Sequence, residues 1–252
     1  MQDIIEKILE LSQKNQQLSQ HQHYAFFSDF IQLFYQDNNN ADFENYTTQQ
    51  LFDFASSAFN FLTTKKNQDF AIRVYNPQPE CLFTIIEVVN RDMSFLVDSI
   101  VSFLDKQSVK IKNIIHPVLY VCRKNGDFIN LNGQNSVAES VIQLHIEKIS
   151  NENELQLIQQ NIAKILENVA LVVNDWQSMK DLANKALKQL NNAKNISSQN
   201  IEEYQDFINW LLADNFIFLG GAEFDISYQN NQPEKLFQTL RLLTLRSFQL
   251  RF

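Results

Sequence analysis

The sequence predicts an α+β fold in which a helical N-terminal region precedes an antiparallel sheet carrying helices on one face. Three patterns in the 252 residues point that way. Apolar residues recur with a helical period in the first sixty-odd positions, at 93–104 and beyond 151. Short β-branched runs at 71–75 and 82–89 are separated by Asn76-Pro77-Gln78-Pro79, where two prolines stop either element. Residues 141–149 alternate, with Ile142, Leu144 and Ile146 on one side and Gln143, His145 and Glu147 on the other. One apolar and one polar face fits an antiparallel sheet, because strands of a doubly wound parallel sheet are apolar on both faces.

Taken in order, Tyr24 to Tyr35 spaces Phe27, Phe30, Ile31 and Phe34 as one helix face, and Asp37 to Asp42 reads as a polar linker. Thr47 or Thr48 is placed to cap a helix whose buried face is Leu51, Phe54, Ala55, Ala58, Phe59 and Leu62. After the two strands, Met93, Leu96, Val97, Ile100, Val101 and Leu104 form an amphipathic helix with Asn90 or Asp92 as its cap. Lys110 to Arg123 reads as a strand turning at Lys124-Asn125-Gly126-Asp127 into a short return at 128–131. Asn151, with Glu154 three residues on, opens a long helix with two successive stripes and a bend near Asn174. The order strand, helix, strand, strand, helix begins a ferredoxin-like βαββαβ unit. A linker at 191–200, a helix at Ile201 to Ala213 and an extended segment at Phe216 to Tyr228 follow. The domains expected are a helical region at 1–66, an α+β domain at 67–190, that linker, the opening of a further module at 201–232, and an atypical tail at 233–252.

Composition narrows the function. Average usage would place about eighteen glycines in this length, and there are four. Gly126, Gly133, Gly220 and Gly221 cannot form G-x-G-x-x-G or a P-loop, so no nucleotide-binding fingerprint exists in this chain. A net charge of -8 argues against phosphate backbones and anionic membranes, hence no nucleic acid and no membrane partner. The N-terminal ten residues carry four charges and do not read as a signal peptide, and no apolar run approaches a membrane span. Cys81 and Cys122 give no disulfide framework, consistent with a cytoplasmic protein. Asn and Gln, about a fifth of the residues, occur in short runs and read as compositional drift. No metal is expected: His21-x-His23 is a weak pattern, and His116 and Cys122 lie about 20 Å apart along a strand. No nucleophile with an adjacent base can be argued, so no catalytic residue is assigned, and Asp69, Glu87 and Glu147 read as strand-face charges.

Five segments in order resemble a known family: Arg73-Val74-Tyr75-Asn76-Pro77, the run from Glu87 to Ser99, Ile115-His116-Pro117-Val118, Leu144-His145-Ile146-Glu147, and Asp214 to Gly220. They are similar to the N-terminal region of the large bacterial NAD-specific glutamate dehydrogenases, over about Phe27 to Tyr228. The resemblance implies ACT-like modules, a regulatory and architectural role, and a truncated chain whose catalytic and NAD-binding domain lies elsewhere. It implies no cofactor in this chain and NAD for the full-length family, with oxidative deamination of glutamate to 2-oxoglutarate as the whole enzyme's reaction. Arg91, Ser94 and Gly221 depart from the family pattern, which has an acidic residue, a proline and an aromatic residue there. In ACT-like modules small amino-acid effectors sit near the strand-to-helix loop, here Asn90, Arg91, Asp92 and Met93. His116, beside a strand-breaking proline, and His145, on the polar face, are further effector or interface candidates.

The expected partners are the remaining domains or a second polypeptide of the enzyme, a second copy of the chain, and an amino-acid effector. A stand-alone amino-acid sensor and an inactive remnant of a split gene are the alternatives. From Leu236 to Phe252 there is no acidic residue, and Arg241, Arg246 and Arg251 appear. That change reads either as a frameshifted tail or as a terminal helix with Leu236, Leu240, Leu243 and Phe248 on one face.

Overall fold

The computed structural model describes residues 2–15, 22–66, 69–77, 81–192, 197–229 and 232–243, the backbone alone from 222 onward. Packing divides the chain into two units, Met1–Leu166 and Glu167–Phe252.

The first unit opens with helices α1 (Gln2–Lys14), α2 (Phe27–Tyr35) and α3 (Thr48–Thr64). Thr47 is the cap of α3: its Oγ1 accepts from Gln50 N at 3.2 Å, and Gln50 Oε1 accepts from Thr47 N at 2.9 Å. The stretch expected as a polar linker holds a 3₁₀ turn, Asn40–Phe43, closed by the same reciprocal device between Asn39 and Asp42. Phenylalanine supplies the core between helices, with Phe59 at 5.1 Å from Phe27 and 5.2 Å from Phe30 between ring centroids.

Six strands follow: β1 (Phe70–Tyr75), β2 (Phe83–Arg91), β3 (Ile111–Ile115), β4 (Val118–Lys124), β5 (Asp127–Leu131) and β6 (Val137–Glu147). Gln78 and Pro79, part of the expected break between β1 and β2, lie outside the described residues. The sheet order is β1-β2-β6-β4-β5, with β3 also on β6, and all pairs are antiparallel. Helices α4 (Leu96–Lys106) and α5 (Glu152–Leu190) complete the ferredoxin-like part. In a βαββαβ unit the last strand lies beside the first; here β1, which comes before the unit, takes that edge against β2.

Three local expectations are corrected. Lys110 to Arg123 is two strands, not one: Pro117 has no N–H for the ladder, so the chain breaks at His116-Pro117, and β3 and β4 pair with opposite halves of β6. The α4 helix starts at Leu96, not Met93, because β2 stays paired to β6 through Arg91↔Glu139 and Phe95 turns left-handed at φ 72 before the helix. Asn90 and Asp92 therefore do not cap it. The α5 helix runs through Asn174 without interruption, and Asn151 caps it by accepting from Asn153 N at 2.9 Å. The turn at Asn125-Gly126, with φ of 54 and 87, is the two-residue hairpin with both central residues left-handed.

Both sheet faces are covered. On β2 and β6, Ile85, Glu87, Val89, Val141, Gln143 and His145 face the N-terminal helices. Ile86, Val88, Ile142, Leu144 and Ile146 point to the other face, where Leu96, Ile100 and Leu104 of α4 and Leu155, Ile158 and Ile162 of α5 are buried. One aliphatic and aromatic core thus runs from Ile8 in α1 to Val141 in β6.

In the second unit, α6 (Ser198–Trp210) is capped by Ser197 Oγ and ends in a π-type turn, Leu211–Asn215, with Asp214 at φ 60. Lys180 pairs with Asp214 at 2.8 Å. Strands β7 (Gly221–Gln229) and β8 (Gln232–Leu243) form an antiparallel hairpin. Leu236, Leu240 and Leu243 are therefore in a strand and not in a terminal helix, because the segment pairs with β7. Arg241 lies in that strand, whereas Arg246, Phe248 and Arg251 lie outside the described residues. Among the described residues no helix is long and apolar enough to cross a membrane.

Candidate functional site

The residues expected to act together fall into two places on opposite faces of the sheet. The first is the loop from β2 into α4. Asn90 is buried at the end of β2, opposite Ser140 in the register, and its Nδ2 donates to Arg91 O at 3.1 Å. Asp92 is tied to β6 twice, by its N donating to Ala138 O at 2.8 Å and by its carboxylate accepting from Ser140 Oγ at 2.5 Å. Arg91 is exposed, and Met93 is half-buried on the loop. The first turn of α4 receives no capping side chain from Phe95.

His116, in the break between β3 and β4, joins this group. Its Nε2 is buried and has no partner among the described residues. Burial lowers its pKa, and the carboxylates of Asp92 and Asp98 act in the opposite direction. The fold thus gathers Asn90, Asp92 and His116 at one end of the sheet, together with α4's uncapped N–H groups. A ligand carboxylate can be held by such N–H groups, and a neutral imidazole can donate or accept.

His145 is elsewhere. It sits fully buried on the opposite face, between β6 and α3, in a chain of hydrogen bonds the sequence did not reveal. Arg73 holds Glu87, with Nε to Oε2 at 2.6 Å, and also donates to Ser57 O and Oγ at 3.0 and 2.7 Å. Glu87 Oε1 accepts from Gln143 Nε2 at 2.8 Å and from Tyr75 OH at 3.1 Å. Because the Gln143 amide donates to Glu87, its Oε1 faces His145 Nε2 at 3.1 Å as an acceptor, so Nε2 carries the proton. His145 Nδ1 then accepts from Tyr46 OH at 2.8 Å. Burial holds the His145 pKa down to about 3, and raises those of Tyr46 and Tyr75.

Glu87 is thus a strand-face charge that is buried and fully engaged. The legible signal was register: Glu87 stands opposite both Arg73 and Gln143. A second buried ion group joins Arg123 and Lys65 to Glu139, with Arg123 Nε and Nη2 each 2.7 Å from a Glu139 oxygen. Neither network pairs a nucleophile with a base at an open surface.

The topology defines the class: an ACT-like, ferredoxin-type module. A family model described as "Glutamate dehydrogenase, ACT1 domain" matches residues 30–162, and the chain belongs to that family. It is 30% identical over 183 residues to an NAD-specific glutamate dehydrogenase of Pseudomonas aeruginosa, covering 68% of this chain and 11% of that protein. It is 27% identical over 210 residues to an NAD-specific glutamate dehydrogenase of Halomonas elongata, covering 78% of this chain and 13% of that protein. The chain thus spans a small part of the length of these relatives. Its residues do not fit a dinucleotide: Gly126 serves a hairpin, Gly133 the β5–β6 connection, and Gly220-Gly221 the start of β7. None sits between a strand and a following helix, where a pyrophosphate is held.

Proposed function

We propose that this chain is a non-catalytic regulatory and architectural segment of an NAD-specific glutamate dehydrogenase, the whole enzyme converting glutamate to 2-oxoglutarate. The family match over residues 30–162 carries this reading. Its partners are the remaining domains of that enzyme, in the same or a second polypeptide. The α6 helix supports an architectural role: it buries no residue, and Tyr204, Phe207 and Trp210 are 45%, 58% and 51% exposed along it. Exposed large apolar side chains grouped in this way mark surfaces that another module covers. Assaying the purified chain for NADH formation from glutamate tests the reading; no turnover is expected, and turnover overturns it.

A regulatory contribution has its own support in the unpartnered His116 Nε2 beside the start of α4. An amino acid bound there would place its carboxylate at the α4 N–H groups and near Arg91. Calorimetric titration with the standard amino acids is expected to give a saturable heat that weakens in Arg91→Ala. No heat with any of them ends the effector reading and leaves the architectural one standing.

A further inference from the structure

We propose that a cleft between α3 and the end of β1, on the sheet face opposite the Asn90 loop, binds a small primary ammonium compound with Asp53 as its counter-ion. The cleft has a volume of about 270 Å³; Gln50, Asp53 and Ser57 of α3 form one wall, and Tyr75, Pro77 and Cys81 the other.

Charge sets the sign of the ligand. Asp53 is half-buried and accepts from the neutral Gln49 amide at 2.8 Å, and no cation among the described residues pairs with it. The nearest guanidinium in the network, that of Arg73, is committed to Glu87 and Ser57. An anion would therefore meet a carboxylate with no free positive charge, whereas a cation would meet an unpaired one.

The walls set the rest. A bare divalent ion takes six or more oxygen ligands, and among the described residues this cleft offers one carboxylate beside Phe54, Pro77 and the buried Cys81 thiol. An organic body suits those walls better than a hydrated ion. Gln50 Oε1 is already an acceptor for Thr47 N, so its amide N–H₂ is the group left to donate to an oxygen on the ligand. Drug-sized ligands occupy pockets of about 300–1,000 Å³, so a cleft of about 270 Å³ suits an occupant at the small end of that range. A short amine carrying a hydroxyl meets every requirement.

The test is an NMR titration of the full ¹⁵N-labelled chain with ethanolamine at neutral pH, with ethylene glycol as the uncharged counterpart. Expected are saturable amide shifts at 50–57 and 75 with ethanolamine alone. Asp53→Asn should weaken binding about tenfold or more, the loss expected for a charge-assisted contact. Asp53→Glu should retain binding, and Arg91→Ala should leave it unchanged. No saturable shift, or equal shifts in Asp53→Asn, overturns the proposal. Binding that Arg91→Ala removes would place the ligand at the other loop, ending this proposal while supporting the effector reading there.

Discussion

Replacing Glu139 with alanine is expected to cost about 3–5 kcal/mol of stability, the range for stripping the counter-charge from a buried ion group. Glu139 is flanked by Arg123 and Lys65, whose side chains are 13% and 6% exposed. Without the carboxylate the two cations face each other in a place water barely reaches. Arg123→Ala is expected to cost less, because Lys65 Nζ remains 3.4 Å from Glu139 Oε1. Urea unfolding of the three proteins measures both values. Equal losses near 1 kcal/mol would match an exposed surface pair and refute the burial argument. The group matters for function because Arg123 also donates to Leu62 O and Lys65 O, at 3.0 Å each, at the C-terminal end of α3. It therefore fastens the helical layer to the sheet. The family match begins at residue 30, within α2, so that layer belongs to the matched module and not only to its approach.

Much of this was legible in local sequence. Thr47 and Gln50 announce the start of α3, and Asn125-Gly126 sets the hairpin, since each depends on chemistry within four residues. The start of α4 is not legible locally, because Met93 falls on the helical period by coincidence. What excludes it is pairing of β2 with β6 out to Arg91, a contact across about fifty residues of chain that no local window contains. The polar face of β6 posed a different difficulty. Gln143 and His145 look the same in sequence whether solvent, a second subunit or a helix covers them. They are buried because Glu87, Phe54 O and Tyr46 OH satisfy their polar atoms, and those partners come from three other segments. The Asn90, Asp92 and His116 grouping is only half legible: each residue stands out in its own segment, but the fold, through the break at Pro117, brings them together.

Lowering the pH is expected to unfold the first unit through His145. Its unfolded pKa is near 6.5, and its folded value is held down to about 3 by burial. Between these values the unfolded chain binds the proton and the folded chain does not, so stability is full above about pH 6.5 and falls as pH drops toward 3. The slope for one such group approaches ~1.4 kcal/mol per pH unit, which over this window amounts to several kcal/mol. The hydrogen bonds explain why the folded form resists the proton. It would have to enter at Nδ1, where Tyr46 OH now donates, in a cage made by Phe54 and Phe83 with ring centroids 4.6 and 5.0 Å away. His145→Phe separates this effect from general acid sensitivity. The variant keeps the ring in place but leaves Tyr46 OH and Gln143 Oε1 without that partner, so it should be less stable at pH 7 by about 1–3 kcal/mol. It should nevertheless lose less stability than the parent chain between pH 6 and 4. Parallel pH profiles for the two proteins in urea unfolding would show that His145 is not the titrating group.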